Sequence, residues 1–397
     1  MVPGVRACIR EIDLPPFDPL NIRAAELRAA GHHVISLGQA LPFFGPPAAA
    51  LAAARAALDG PDVNIYSTDP GLPRLRALLS ARLATTAGIE STADDLMITA
   101  GANHAFTLAA TTLVDPGDEV VLPAPLFTNH DMAVRALGAT VVEAPVSDRV
   151  TFAVRWSDVE PHLTPRTKAV VLCTPSNPTG AVLEPREGVR IVEELARRNI
   201  FVISDETYMQ FVFEGAHWSA ASVPGWRRNV VVVGTFSKCF GMMGWRVGFM
   251  LADAAVCAEA VKVQDAMIIC APVISQIAAE AAVRESWDHP QSFREGLLER
   301  RQAMIDGLAR IPQLRWTPTG GAFFGFVRVD GCDDSAALAA SLLEQVHVVT
   351  IPGSAFGRSG EGHLRLSYGA ASVEGVRDAT ARLARYFAPA QVAQASA

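Results

Sequence analysis

The chain of 397 residues has no C-x-x-C pair, although six cysteines are scattered along it (Cys8, Cys173, Cys239, Cys257, Cys270, Cys332). That scatter argues against a disulfide framework and against a zinc ribbon, and it fits a reducing compartment. The nine histidines form no H-x-x-x-H pair, so no metal site is expected. Long apolar runs are missing too. The most apolar stretch, 266–279, contains Pro272 and Gln276 and is shorter than the roughly 20 residues a membrane-spanning helix needs. Residues 1–20 lack a continuous apolar core and carry Pro3, Glu11, Asp13, Pro15 and Pro16, a composition unlike a secretory signal. Positive charge is in the minority: 34 Lys+Arg against 41 Asp+Glu leave a net charge of −7. Neither nucleic acid nor an acidic membrane is expected as a partner. These absences together point to a soluble cytoplasmic protein.

Half of the residues are hydrophobic and 19% are charged, a globular balance with ample apolar surface to bury. The length suggests two domains. Through the middle of the chain, short apolar runs at 96–99, 119–122, 140–142, 169–172, 201–204, 229–233 and 246–251 alternate with helical patterns at 102–114, 127–137 and 186–198. Nearly all-apolar strands separated by helices read as an α/β fold with a mainly parallel sheet buried on both faces. In such sheets ligands sit beyond the carboxyl ends of the strands, so polar residues directly after them are the candidates for chemistry. After about residue 285 the texture changes to a charged helix (293–308), a glycine- and phenylalanine-rich run (320–326) and a further helix (338–344). The expected division is an N-terminal arm (1–45) joining a small C-terminal α/β domain (285–397), with a large domain at 46–284. The alanine-rich 48–57 reads as a plain helix, and the small, polar 391–397 as a fraying tail.

One segment, 234–248, concentrates reactive groups: a strand delivers Thr235, Ser237, Lys238 and, eight residues beyond the lysine, Arg246. Lys238 is surrounded in sequence by Phe240, Met242, Met243 and Trp245. Apolar surroundings disfavour the ammonium form and free the amine as a nucleophile. The two hydroxyls and the arginine fork form a phosphate-binding set.

This S/T-x-S-K run followed by G-W-R-x-G resembles the class I/II aminotransferases, pyridoxal 5′-phosphate enzymes of fold type I. The resemblance extends from Leu37 to Arg365 with motifs in the family's order, and implies a seven-stranded-type sheet sandwiched by helices. It also implies that Lys238 holds the cofactor as a Schiff base. Thr174-Pro175-Ser176-Asn177-Pro178-Thr179-Gly180 reads by itself as a rigid turn; the resemblance assigns Asn177 to the cofactor's phenolic oxygen and to the substrate side. Asp205, at the end of a strand, could simply cap the next helix. In the family it matches the carboxylate at the pyridine nitrogen, where an anion keeps that nitrogen protonated. Tyr208 would then lie near the phenolic oxygen.

The Gly101 turn with the amides of Ala102 and Asn103 forms an anion seat for the cofactor phosphate. His104, where the family usually has Gln, receives no role. Phe127 matches the aromatic residue stacked on the pyridine ring, although core packing alone would explain a phenylalanine there. Tyr66 matches the tyrosine that reaches the phosphate of a neighbouring subunit, which implies a homodimer. Arg365, set between apolar residues, matches the residue that grips the substrate α-carboxylate. Ala40 stands where the family commonly has glycine facing the substrate.

The function these residues imply is transamination between an L-amino acid and a 2-oxo acid. Lys238 moves the α-proton while Asp205 and Tyr208 assist. The alternative on the same scaffold is elimination or replacement, cyclisation, or oxidation of an amino acid in specialised biosynthesis. A ligand-sensing domain of a transcription regulator is a third reading. The negative charge and the short arm before Leu37 speak against it.

Overall fold

In the computed structural model, which describes residues 4–388, the chain is an α/β protein. Seven strands form the main sheet: β1 (Leu96–Thr99), β2 (Glu119–Ala124), β3 (Thr140–Pro145), β4 (Thr167–Cys173), β5 (Phe201–Asp205), β6 (Val230–Thr235) and β7 (Gly248–Leu251). Their order is β1-β7-β6-β5-β4-β2-β3. Every pairing from β6 to β3 is parallel, whereas β7 runs antiparallel to both neighbours.

Helices α1 (Pro73–Ala87), α2 (Ala102–Leu113), α3 (Thr128–Leu137), α4 (Pro185–Arg197), α5 (Ala254–Ile268) and α6 (Val273–Glu285) cover the two faces of this sheet. Successive strand residues point to opposite faces, so continuous apolar strands feed two cores at once. On one face Val121, Val170, Val202 and Val232 pack with Leu75 and Leu79 of α1, Ile191 and Leu195 of α4 and Ala278 of α6. On the other, Val120, Ala169, Ile203 and Val231 pack with Phe106 of α2, Val134 of α3 and Cys257 of α5. Each fully buried valine or leucine contributes about 1.5–3 kcal/mol against its exposed state. Local signals set the helix ends. Pro185 occupies the first turn of α4, where the Glu184 carboxylate accepts the Glu187 N–H at 2.9 Å. Gly138, at φ 86°, closes α3.

The chain divides into two compact units. The larger comprises the residues up to Leu14, Phe44–Arg294 and Thr319–Ala322; the smaller comprises Pro15–Phe43, Glu295–Pro318 and the residues from Phe323 on. The sequence-based division differs here, because it assigns the first 45 residues to the small domain. The segment before Pro15 instead caps α3: the Arg6 guanidinium donates to the carbonyls of Ala136 and Leu137, both at 3.4 Å. Residues after 285 stay with the larger unit as far as Arg294, whose guanidinium donates to Phe213 O at 2.7 Å. Thr319 is held there by its hydroxyl on Thr179 O, at 2.7 Å.

The smaller unit has an antiparallel sheet of β8 (Leu314–Arg315), β9 (Phe324–Val329), β10 (Ile351–Pro352) and β11 (His363–Ser367), in the order β10-β11-β9-β8. Ile35–Ser36 pairs in parallel with Val348–Val349 beside it. The expected helix at 48–57 is present as Ala48–Leu58. The expected tail at 391–397 lies outside the described residues. Among the described residues, no helix is long and apolar enough to cross a membrane.

Candidate active site

The carboxyl ends of β1, β2, β4, β5 and β6 lie along one edge of the main sheet, and the turns leaving them carry the candidate residues of the sequence. β6 runs into a short helix, Phe236–Cys239, capped by Thr235. Thr235 Oγ1 accepts the Ser237 N–H at 3.1 Å and stands 2.8 Å from Ser237 Oγ. Lys238 is half-buried on this helix, two positions from each of Phe236 and Phe240, whose rings stack on one another at 5.8 Å. Phe240 and Met242 belong to the core, while Met243 and Trp245 are half-buried.

The sequence pattern places Arg246 inside a strand. It instead precedes β7 in a left-handed conformation, φ 50°. Because β7 runs antiparallel, its amino end meets the carboxyl ends of its neighbours, and Gly248 sits in register with both Thr99 and Thr235. That reversal brings an arginine to the edge where the parallel strands end. Its guanidinium donates to Ala100 O (3.2 Å) and Met243 O (2.9 Å). The packing is tight. A Cβ on Gly248 would lie 2.6 Å from Gly234 O and 2.8 Å from the Gly101 Cα, and one on Gly101 would strike Arg246.

Gly101 itself has φ 88° and opens α2 without any side-chain cap, leaving the start of the helix to present its amides at Ala102 and Asn103. His104 serves this turn: its Nδ1 accepts the Ala100 N–H at 3.0 Å, and burial pushes the imidazole's pKa down, which keeps it neutral.

Asp205 is buried at the end of β5. Its Oδ1 accepts the Thr207 N–H and its Oδ2 meets His130 Nε2, each at 2.9 Å. Burial alone would push this carboxyl up; the hydrogen bond and charge of His130, with the Thr207 groups, outweigh it and hold it below the ordinary carboxylate range. His130 is the residue that sequence reasoning misses. It stacks on Phe106 (4.2 Å) and meets Phe127 edge-on (5.1 Å). The one available signal is its spacing: three residues after Phe127, across the first turn of α3, the two share a helix face.

Beside Asp205, the buried Glu206 accepts from Ser204 Oγ (2.9 Å), Ser219 Oγ (3.0 Å) and the Ala220 N–H (3.1 Å), and meets His217 Nε2 at 2.8 Å. Tyr208 is buried next in line. Asn177 is buried in the loop after β4. That loop is tied by Ser176 N–H to Ala181 O (2.8 Å) and Leu183 N–H to Thr174 Oγ1 (3.0 Å). Phe127 is half-buried at the start of α3.

Tyr66 is 74% exposed. The loop below it is pinned by two fully buried amides. Gln276 accepts the Leu72 N–H (2.7 Å) and donates to Ser67 Oγ (3.1 Å), while Gln264 donates to Asp69 O and to Ile98 O (3.3 Å).

Arg365 and Ala40 belong to the smaller unit. Arg365 is buried on β11, where it donates to Gly38 O at 2.6 Å. The rings of Phe17, Phe324 and Phe356 lie 5.7, 5.4 and 5.1 Å from its guanidinium carbon. Ala40 is half-buried two residues beyond Gly38.

Residues 32–383 match the sequence model of the family described as "Aminotransferase class I and II". The aspartate aminotransferase of Pyrococcus abyssi (strain GE5 / Orsay) is 33% identical over 360 residues, 89% of this chain and 92% of that protein. Aromatic-amino-acid aminotransferase 2 of Thermococcus litoralis is 32% identical over 364 residues, 90% of this chain and 93% of that protein. Among solved structures, the aspartate aminotransferase from Thermus thermophilus with maleate superposes with a TM-score of 0.90 at 29% identity, covering 96% of this chain and 99% of that one.

Proposed function

We infer the division of labour in this site from one premise: the chain belongs to the class I and II aminotransferases, with pyridoxal 5′-phosphate as cofactor. It is an enzyme that moves amino groups between amino acids and 2-oxo acids. The relatives it matches are named as aminotransferases, and no observation favours elimination, cyclisation or oxidation.

The donor set fits the cofactor. Thr235, Ser237 and Arg246, with the Ala102 and Asn103 amides at the uncapped start of α2, suit a phosphate dianion. Lys238 Nζ would be the covalent anchor for the cofactor's aldehyde, and Phe127 would offer a ring face to its pyridine. Asn177 and Tyr208, both buried, suit the phenolic oxygen. When bound, the cofactor supplies a protonated ring that takes up the electron pair left on breaking the amino acid's α C–H bond.

The chain's own groups do the rest. Asp205, held ionised by His130, keeps a proton on the ring nitrogen. Once released, the Lys238 Nζ would accept the α-proton and could return it to the cofactor's aldehyde carbon, across the amino nitrogen. Arg365 takes the substrate α-carboxylate with its planar fork, near the loop that bears Ala40. The exposed Tyr66 fits a reach toward the phosphate of a second copy, so the working form is a homodimer with shared sites. Its place is the cytoplasm.

The observation that carries this reading is the buried, ionised Asp205 one strand away from the loop of Lys238. The chain has only three lysines (Lys168, Lys238 and Lys262), which makes the test clean. Borohydride reduction of the purified holoenzyme followed by peptide mapping is expected to leave the pyridoxyl label at Lys238 alone. Lys238→Ala is expected to lose both label and turnover. A label at Lys168 or Lys262, or transamination by the variant at the wild-type rate, refutes the assignment.

A further inference from the structure

The sequence motifs leave His104 without a role, yet its imidazole is fixed at one end of the proposed phosphate seat. The pairing of β1 stops at Thr99, opposite Gly248, so the N–H of Ala100 leaves the sheet without a strand partner. His104 Nδ1 accepts that N–H at 3.0 Å. The carbonyl of the same residue accepts from Arg246 Nη2 at 3.2 Å. Ala100 is therefore held at both of its polar groups. One hold comes from the third residue of α2, the other from the arginine that precedes β7. A further tie, Thr99 Oγ1 to Gly101 O at 3.1 Å, closes the turn.

The ring is committed to this one contact. A ring nitrogen that accepts carries no hydrogen, so in the neutral imidazole the hydrogen sits on Nε2. Nε2 is buried and meets no hydrogen-bond partner. That unused donor is unfavourable, and only the bond to Ala100 is set against it. Burial also lowers the imidazole's pKa, so the acceptor persists at neutral pH. The position matters for an anion. A serine, threonine or aspartate ahead of a helix caps it by accepting the N–H groups of the first turn. Those are the groups an anion needs. Here Gly101 has no side chain, α2 has no side-chain cap, and its third residue turns back past the glycine to Ala100. The arrangement is a capping box displaced by one residue. It fixes the turn from behind and leaves the amides of Ala102 and Asn103 open.

We propose that His104 is a positioning residue for the cofactor phosphate. By accepting the Ala100 N–H it orients the open amides of Ala102 and Asn103 and, through the Ala100 carbonyl, the Arg246 fork. The proposal rests on the aminotransferase reading and deepens it. Its effect is confined to the phosphate end of the cofactor, because the one hydrogen bond of His104 ends at this turn.

The test titrates the full chain, freed of cofactor, with pyridoxal 5′-phosphate and with pyridoxal, which has the same ring and aldehyde but no phosphate. Binding is read by absorbance. His104→Leu removes the acceptor and keeps apolar bulk. Its dissociation constant for the phosphate ester is expected to rise about tenfold or more, the scale of one N–H left unpaired, while that for pyridoxal stays within about twofold. His104→Gln offers a side-chain carbonyl to the same N–H and is expected to bring the constant for the ester back to within about threefold of native. An unchanged constant in His104→Leu, an equal loss for both ligands, or no recovery in His104→Gln overturns the proposal. The native holoenzyme gives a check that needs no folded variant. Nitrogen-15 spectra are expected to show His104 neutral, with its hydrogen on Nε2, and a hydrogen on Nδ1 overturns the proposal as well. Failure of the underlying reading is seen separately, as the absence of a pyridoxyl label at Lys238.

Discussion

Replacing His130 by phenylalanine isolates what keeps Asp205 ionised. The new ring keeps the stack on Phe106, 4.2 Å away in the native protein, but removes the 2.9 Å bond to Oδ2. A hydrogen bond to a buried charged group contributes about 1.5–3 kcal/mol, a factor of roughly ten to a hundred. Without it, the Thr207 groups alone oppose burial, and the carboxyl moves up. The sign follows from linkage. In the native protein the folded value lies below the unfolded one of about 4, so the ionised form stabilises the fold above that pH. This contribution is lost as pH falls through the depressed folded value. In His130→Phe the folded value rises, so this contribution shrinks, the carboxyl takes up its proton at higher pH, and ring protonation weakens with it. Expected are a kcat roughly ten- to a hundredfold lower and an acid limb of the kcat profile displaced to higher pH. Substrate KM should change far less. A variant with kcat within twofold of the native enzyme and an unmoved acid limb would refute the claim that His130 acts through Asp205.

Two further substitutions probe the surrounding frame. Gly101→Ala forces a Cβ against the Arg246 guanidinium at φ 88°. The strained backbone costs about 1–3 kcal/mol of fold stability, while displacing the Arg246 fork, a charged hydrogen-bond donor, should raise the cofactor dissociation constant at least about tenfold, read by absorbance titration of the apoenzyme. Glu206→Ala leaves His217 and two serine hydroxyls without their common acceptor. It should lower unfolding stability by about 3–5 kcal/mol in urea melts, with the pyridoxyl label at Lys238 retained in the folded fraction.

The parallel core is legible in the sequence because β-branched runs such as 169–172 and 230–233 have to satisfy two helical layers at once. The lysine loop is legible because an amine flanked by Phe240 and Met242 has no reason to be solvated. Strand direction leaves no comparable trace. Gly248–Leu251 reads like its parallel neighbours, and only the reversed pairing explains how Arg246 reaches the same edge as Lys238. His130 escapes notice for a related reason: a lone histidine after Phe127 has the same local pattern whether it packs in a core or orients a carboxylate. The first fourteen residues read as an arm by composition, yet Arg6 finds free carbonyls on a helix more than a hundred positions away, a pairing with no local signature. Phe152 is the clearest limit, since a positive φ at a phenylalanine is set by the acid four residues earlier and not by any propensity of its own.

The two glutamine amides beneath residues 67–72 have a consequence for assembly. Because Gln264 and Gln276 anchor that stretch from inside, the exposed Tyr66 stands as a prong on backbone whose ordering entropy is already spent when the monomer folds. In the proposed homodimer a companion chain would meet a preset shape. Association should depend on how well the opposing surface is carved to admit that prong, with little left to a mobile arm that could adjust to a poor fit.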